Sequence, residues 1–488
     1  AAVLFSRTGL SFAAQIDGPV AQVGEEAIRG EGNLTFAARE AAGELTVDEL
    51  LARAGDSQVF AEKVPQSRRA PISQPLHTGV LAIDSLTPIG RGQSMLILGP
   101  DTLSPEVGRS SLAHRVVNGV ATFAPEVRRV YVTAKESADA VRSQDWVKGS
   151  TVLVAQNDAE LLIAAQAACT IAQEAAGDAL VVIDDLEPLR RMWKLSCAAA
   201  EAAGREVRPE EEGSILRVFY SGLTERAHRR TGGDTVTLIV LQPSPSLRAA
   251  QGVRKASFTL ADFESAGFSQ RALTRLRTLD EKGIELTEAV LEKLGIPAPG
   301  SGHPRADGGR AAGQHTEELT SLVDGHIELS ETLAAAGRVP PIDPSQSLTR
   351  IGVGSTKLRP QATSAAMRAV ARALRLELAS AADPVHCEPP QRRRAAACTR
   401  VLQQPNLLPM ALSKQVALLF AATSGLLDDA VDQMEDAEIA SLLDGLVDAV
   451  DAAAPELLSK VGRSSDLTDE QAQELRSIIA DYVANSAV

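Results

Sequence analysis

The residues between Gly99 and Ser111 combine the types needed to bind phosphate with an altered spacing. A P-loop follows the pattern G-x-x-x-x-G-K-[ST], in which backbone N–H groups cradle the phosphates, Lys reaches the terminal ones and the hydroxyl holds Mg²⁺. Here the second glycine comes too late, two prolines remove N–H donors, and an arginine stands where Lys belongs. The residues left to bind phosphate are Gly99, Gly108, Arg109, Ser110 and Ser111. The sequence therefore predicts a phosphate site whose binding is weak or absent.

Two neighbouring carboxylates, Asp184 and Asp185, follow the apolar run 179–183. A carboxylate at the carboxyl end of a buried strand meets the Mg²⁺ that a bound phosphate brings to that edge of the sheet. Acidic residues also end strands without any such role, and the sequence leaves both interpretations open. Together with the loop before it, this pattern predicts Ser110 and Asp184 as ligands of a magnesium ion.

Three further positions could take part in chemistry, and each has a plainer interpretation. Glu136 could orient an attacking water, but a solvated loop carboxylate is the favoured interpretation. Arg350 lies in an apolar stretch beside glycines, where it is either an arginine finger for a neighbouring site or an arginine in a turn. His386 and Cys387 form the nearest approach to a metal-ligand pair, but the surrounding prolines favour a loop.

Alternating strands and helices must position these residues. Apolar β-branched runs predict strands, and the segments between them predict helices, a pattern typical of a parallel sheet covered on both faces. The predicted strands are 95–98, 130–133, 151–155, 179–185 and 235–240, the predicted helices are 111–121, 159–176 and 214–230, and sheet-like residues resume at 319–329.

The chain divides into three predicted parts. Residues 1–70 form a small, partly β N-terminal module, and residues 71–360 form the α/β domain, which carries a helical and linker insertion at about 245–315. Residues 361–488 are Ala- and Leu-rich amphipathic helices with acidic outer faces, which predicts an all-α C-terminal domain.

Charge and cysteine usage exclude several classes of function. The net charge of −14 and the isoelectric point of about 5.2 disfavour nucleic acid and an anionic membrane surface as partners. No apolar run approaches the roughly 20 residues of a membrane-spanning helix. The four cysteines are scattered without metal-ligand spacing, which predicts reduced thiols in a reducing compartment.

Several segments, in order along the chain, resemble the alpha subunit of rotary ATP synthases. The stretch 76–93 resembles the entry to that family's P-loop, 181–186 its Walker-B strand, 222–227 its Leu-Glu-Arg-Ala helix, and 321–329 the strand after its catch loop. Residues 347–352 are similar to the family's Ser-Val-Ser-Arg-Val-Gly, which places Arg350 on the family's arginine finger. The resemblance covers roughly 71–243 and 318–488, and it places Gln403 and Gln404 beside the adenine.

The resemblance implies a RecA-like α/β domain followed by a helical C-terminal domain. Alpha subunits of this family bind Mg·ATP without turning it over and lend their arginine to a beta-subunit site. We therefore expect a non-catalytic alpha-like subunit with beta-type partners, ATP or ADP with Mg²⁺ held weakly or not at all, and Arg350 as the residue that acts in catalysis. An assembly or regulatory factor of the same ancestry and an independent ATPase are the alternatives.

The N-terminal sequence suggests a cellular location. The chain starts at Ala1 and has no acidic residue before Asp17, as in an organellar protein whose transit peptide has been removed, although a chain trimmed for other reasons would look the same. We expect the mitochondrion, on the matrix side of the inner membrane, with the chloroplast as the alternative.

Overall fold

The computed structural model describes most of the chain. The described residues are the backbone of 2–6, 9–14, 33–37 and 42–46, then 64–135, 141, 143–155, 158–174, 176–191, 217–218, 220–244, 259–260, 263, 275–279, 286, 290–291, 316–351, 364–381, 387–405, 408–462 and 467–486. Most of the predicted insertion at 245–315, and Glu136 with it, lies outside them.

A mixed sheet with a parallel centre organises the α/β part. The strands are β1 (Ala2–Ser6), β2 (Gly9–Ala14), β3 (Asn33–Ala37), β4 (Ala42–Thr46), β5 (Pro75–Leu76), β6 (Ile89–Gly90), β7 (Ser94–Gly99), β8 (Arg128–Thr133), β9 (Ser150–Val154), β10 (Asp178–Asp184), β11 (His228–Arg229), β12 (Thr235–Pro243), β13 (Gly325–Glu328) and β14 (Leu348–Thr349). The sheet has the order β14-β13-β7-β12-β10-β8-β9-β3-β4, with β11 paired to β12. Neighbours from β13 to β9 are parallel, whereas β14, β3 and β4 extend the sheet antiparallel.

Helices cover both faces of this sheet because its strands are apolar on both sides. The helices of this part include α1 (Leu81–Leu86), α2 (Arg109–Phe123), α3 (Asp158–Glu174) and α4 (Glu331–Ala335). Successive side chains of β10 point to opposite faces, so Val181 joins the core under α3 while Leu180 joins the core under α2. Buried on both faces, such strands have nearly continuous hydrophobic sequences, which is why the sequence predicts them well.

The register of the strands brings their carboxyl ends to one edge. Gly99 at the end of β7 lies opposite Pro243 of β12, and Asp184 at the end of β10 lies opposite Thr133 of β8. Helix α2 leaves from this edge and packs closely against the chain that precedes α1. A Cβ atom on Gly119 would lie 1.7 Å from the carbonyl oxygen of Thr78, so only glycine permits this approach.

The C-terminal part is all helical in the residues described there. Its helices are α5 (Ala365–Ala381), α6 (Pro389–Val401), α7 (Leu412–Thr423), α8 (Asp428–Gln433), α9 (Asp436–Ala453), α10 (Pro455–Gly462) and α11 (Asp469–Ser486). Capping boxes begin three of them, with Glu388 before α6, Glu435 before α9 and Thr468 before α11. Their core includes Leu81 and Leu86 of α1, so the helical and α/β parts share a hydrophobic cluster. In the described residues no helix combines the length and the apolar character that a bilayer crossing requires.

The buried carboxylate of Asp84 joins the α/β part and the helical part through hydrogen bonds. Asp84 is 6% exposed and accepts hydrogen bonds from Thr78 N (3.0 Å) and Oγ1 (2.7 Å), Gly79 N (3.0 Å) and Gln415 Nε2 (2.8 Å). Asp84 Oδ2 also pairs with His77, whose Nδ1 lies 2.9 Å away. Burial would raise the pKa of Asp84, but the charge of His77 and these hydrogen bonds lower it below its ordinary value. Burial likewise would lower the pKa of His77, and Asp84 raises it instead.

The predicted fold class, a parallel sheet between helices followed by a helical C-terminal domain, is confirmed. Two element predictions are wrong in part. Residues 316–322 are helical and only Gly325–Glu328 forms a strand, although 319–329 is predicted as sheet. The helix predicted over 214–230 ends earlier, because His228–Arg229 pairs with β12 as the short strand β11. The boundaries of the three parts stay predictions.

Candidate functional site

The altered loop connects the end of β7 with the start of α2 at the carboxyl edge of the sheet. Gly108 is the N-cap residue of α2, and Arg109 is its first residue. Within the loop, Leu103 N donates to the Pro100 carbonyl at 3.3 Å and Val107 N to the Ser104 carbonyl at 3.1 Å. These two N–H groups are therefore used inside the loop, whereas a P-loop aims such groups at phosphate.

The Arg109 side chain runs back across the loop from its end to its beginning. The Arg109 side chain is only 5% exposed. Its guanidinium donates to the Gly99 carbonyl and, at 2.5 Å, to Asp101 Oδ1. The same guanidinium lies 3.9 Å from Asp185 Oδ2, and its buried Nε has no hydrogen-bond partner among the described residues. Arg109 thus joins both ends of the loop. The side chain of Ser111 also turns inward along the loop and donates to the Glu106 carbonyl at 2.7 Å.

The two residues predicted to hold magnesium lie together. Ser110 Oγ, in the first turn of α2, donates to Asp184 Oδ1 at 3.0 Å. The second oxygen of Asp184 accepts a hydrogen bond from the Tyr131 hydroxyl at 2.8 Å, and the Asp184 side chain is 2% exposed. The parallel strands β7 and β10, which β12 separates, and the helix that follows the loop produce this meeting, because all of them reach the same edge.

Lys135, which sequence reasoning missed, contacts both magnesium-ligand candidates. Its Nζ lies 2.8 Å from Asp184 Oδ1, 3.2 Å from Ser110 Oγ and 3.6 Å from Asp185 Oδ2. A signal for it exists in the sequence. Lys135 follows the strand β8 by two residues, and β8 is the direct neighbour of β10, so a long side chain there can reach the end of β10.

Asp185 has an uncommon backbone conformation, with a φ of +88° in a residue other than glycine. Such a φ is strained for most residues and is tolerated best by Asn and Asp. Its Oδ1 accepts a hydrogen bond from Glu187 N at 2.8 Å, which supports the turn. Burial raises the pKa of the Asp185 carboxyl, although the Lys135 charge opposes that rise. The conformation directs Oδ2 toward both Lys135 and Arg109.

An aromatic cluster supports the site from below. The His114 ring stacks on Trp146 with centroids 4.2 Å apart, and Tyr131 lies 4.5 Å from Trp146. Burial lowers the pKa of His114 to about 4, so that its ring is neutral at neutral pH. The cluster fixes the Tyr131 hydroxyl that bonds Asp184 and leaves His114 without a charge to offer a ligand.

The site residues do not fit a Mg·nucleotide in the arrangement that they have. Mg²⁺ requires oxygen ligands at about 2.0–2.1 Å in octahedral geometry. Here the oxygens of Ser110 and Asp184 converge on the Lys135 ammonium at hydrogen-bonding distances. Arg109 in turn engages the Gly99 carbonyl within the loop. In the described residues, no group of three or more His, Cys, Asp and Glu side chains is arranged to hold a metal ion.

The glutamines predicted beside the adenine lie between the α/β and helical parts. Gln404 is buried; its Oε1 accepts from Leu81 N at 3.1 Å, and its Nε2 donates to the carbonyls of Gly79 and Leu408. Gln403 borders an open groove beside Arg400. Both roles beside an adenine stay predictions.

Arg350 is exposed and directly follows β14. Its guanidinium donates to the carbonyl of Ser321 at 2.9 Å and to that of Thr320 at 3.0 Å. These contacts hold the Arg350 side chain against the end of the helical segment that precedes β13. Arg350 lies far along the chain from the loop that contains Arg109. Its role as an arginine finger stays a prediction.

Comparisons with known proteins agree with the fold. The family described as ATP synthase alpha/beta chain, C terminal domain, matches residues 391–482. ATP synthase subunit alpha of Lactococcus lactis is 28% identical over 92% of this chain and 77% of its own length. The subunits alpha of Caldanaerobacter subterraneus and Streptococcus mutans are 25% and 27% identical, over 88% and 83% of this chain and 74% and 69% of their own lengths. The chain is therefore alpha-subunit-like: it is divergent, and it is similar to ATP synthase alpha subunits along most of its length.

Proposed function

We propose that this chain is a non-catalytic alpha-like subunit of a rotary ATP synthase, which packs against beta-type subunits and holds nucleotide weakly or not at all. The observation that carries the proposal is the buried Arg109 guanidinium, which bonds to the Gly99 carbonyl and to Asp101 inside the loop. The likeness to alpha subunits along most of the chain supports the place in the synthase.

Catalysis of phosphoryl transfer depends on preorganised donors that are aimed at the transferred group. Arg109 would have to give up its contacts within the loop before it could contact a phosphate. Its planar guanidinium also differs from the compact ammonium of a P-loop Lys, so the exchange is not a conservative one. Nucleotide binding would then have to displace buried interactions, which supports a low affinity.

We further propose that Arg350 acts on a nucleotide held by an adjacent beta-type subunit. Its exposed position and its carbonyl partners, Thr320 and Ser321, support this role, because neutral acceptors hold a guanidinium less strongly than a carboxylate does. An arginine finger of this kind contributes about 10³–10⁵ in rate. Loss of Arg350 would therefore lower the ATP turnover of the partner subunit and not that of this chain.

The experiment is purification of the native complex, with subunit stoichiometry from mass spectrometry and ATP turnover measured on the same material. We expect stoichiometric beta-type subunits, and a loss of turnover in Arg350→Ala with the complex still assembled. Arg217→Ala is the matched control, because Arg217 also contacts Ser321 and pairs with Glu318 on the same helical segment. Equal losses in the two variants would contradict the arginine-finger role.

Two outcomes would contradict the wider proposal. Transient association with free beta-type subunits, without presence in the mature complex, would indicate an assembly factor. Turnover of the isolated chain at about 1 s⁻¹ or faster, typical of competent phosphoryl-transfer enzymes, would indicate an independent ATPase if Asp184→Asn abolished it.

A further inference from the structure

The Lys135 ammonium lies at the point where the polar groups of three elements converge. Asp184 and Asp185 come from the end of β10, and Ser110 comes from the first turn of α2. Lys135 Nζ is 2.8, 3.6 and 3.2 Å from an oxygen of each, in that order. The Lys135 side chain is 35% exposed, whereas the Asp184 and Asp185 side chains are 2% and 16% exposed. The positive charge therefore enters from the solvent side and ends between two largely buried carboxylates.

The position of this ammonium excludes a divalent ion from the same oxygens. A metal ion bound to Asp184 Oδ1 and Ser110 Oγ would lie within a few ångströms of Nζ, where two positive charges repel strongly in a partly buried environment. Removing Lys135 has the opposite effect. Two adjacent carboxylates would remain beside a hydroxyl, with the Arg109 guanidinium 3.9 Å from Asp185 Oδ2. Hard oxygen ligands with excess negative charge are what Mg²⁺ and Mn²⁺ prefer.

We propose that Lys135 is a built-in counter-ion that replaces the divalent cation of this site and keeps the oxygens of Ser110, Asp184 and Asp185 from binding metal. The inference rests on the proposed function in one respect, that the site does not use a Mg·nucleotide. It adds that Lys135 already supplies the positive charge that Asp184 and Asp185 require, so that no metal ion is needed. Removal of the Lys135 side chain alone would turn this cluster into a metal site. Arg109 performs a separate task, since it engages the loop carbonyl and not Ser110.

The test is titration of the full-length chain with Mn²⁺, in the absence of nucleotide, with free Mn²⁺ followed by electron paramagnetic resonance. Lys135→Met should gain one Mn²⁺ site per chain, at least tenfold tighter than any site in the wild type, a difference of about 1.4 kcal/mol. Lys148→Met is the matched control, because Lys148 is 64% exposed and pairs with Asp145 away from this cluster. The double variant Lys135→Met/Asp184→Asn should lose the gained site.

Equal Mn²⁺ affinity in the wild type and Lys135→Met, or an unchanged site in the double variant, would overturn the inference. If Lys135→Met does not fold alone because its carboxylates repel, Mg²⁺ should restore its circular dichroism spectrum, and failure to do so would count against the inference. The melting temperature of the wild type gives an independent measurement. It should be the same with Mg²⁺ and with EDTA, and a Mg²⁺-dependent rise that Asp184→Asn removes would overturn the inference. ATP turnover and copurification test the proposed function separately.

Discussion

Replacing Asp84 with alanine should weaken the junction between the α/β and helical parts strongly. The carboxylate accepts hydrogen bonds from Thr78, Gly79 and Gln415, and it also pairs with His77. Since Asp84 is 6% exposed, water cannot replace it freely at these donors. Its removal would leave buried N–H and O–H groups without an acceptor.

The magnitude follows from the number and burial of these donors. Each buried group left without a partner costs about 1–3 kcal/mol, and breaking a buried ion pair by removing one partner costs about 3–5 kcal/mol. The costs overlap, because relaxation and entering water satisfy some of the donors. We expect Asp84→Ala to lower the free energy of unfolding by about 3–5 kcal/mol. The free energy of unfolding of a native protein is typically about 5–15 kcal/mol, so this loss is a large part of it.

The assay is urea denaturation followed by far-UV circular dichroism, with the first transition of wild type and variant compared. Asp145→Ala is the control, because Asp145 is 90% exposed and pairs with the exposed Lys148, so the unfolding midpoint of this variant should not move. A change of less than about 1 kcal/mol in Asp84→Ala would refute the reasoning, since it would mean that the donors find other partners at little cost.

Three further predictions concern other buried groups. His77→Gln should destabilise the protein more at about pH 6 than at about pH 9, because Asp84 raises the pKa of His77 above 6.5 and the stabilisation disappears as pH rises through that folded-state value. Gly119→Val should lower the free energy of unfolding by about 2 kcal/mol or more, because its Cβ would collide with the Thr78 carbonyl. Cys169 should resist thiol reagents until urea unfolds the chain, because burial raises its pKa to about 11.

Each of these has a control or a contrary result. A destabilisation by His77→Gln that is constant from about pH 6 to about pH 9 would contradict the ion pair. Gly222→Ala is the control for Gly119, since its Cβ would meet no atom within 4 Å and alanine favours helices. Labelling of Cys169 in the native protein at the rate seen in urea would show that its surroundings open readily.

The sheet was predictable because its strands are buried on both faces. The run 179–183 is apolar at every position, and all of it is buried in β10, where it pairs with β12 and β8. Convergence of the strand ends also made the meeting of Ser110 with Asp184 predictable. Both inferences need only the direction of the chain and the rule that parallel strands end at the same edge.

Other features depend on information that local sequence does not carry. Leu319 and Val323 are buried four residues apart, as on one helix face, yet the apolar residues continue into β13 and a short run of this kind suits either element. The two-residue strand β11 exists only through its pairing with β12. The Arg109 contact crosses its own loop and does not follow from spacing along the chain, whereas the Lys135 contact follows only once β8 and β10 are known to be neighbours.

The order of the strands sets how long a growing chain must wait to complete its sheet. Strand β7 lies between β12 and β13, and Ser94 N bonds to Asp324 Oδ2 across 230 positions of sequence. At about 5–20 residues per second, ribosomal synthesis of that length takes roughly 10–50 s. During this time one side of β7 has no strand to pair with, and an unpaired apolar edge is a template for aggregation. The strand order therefore leaves the growing chain open to aggregation through this edge until β13 has been synthesised.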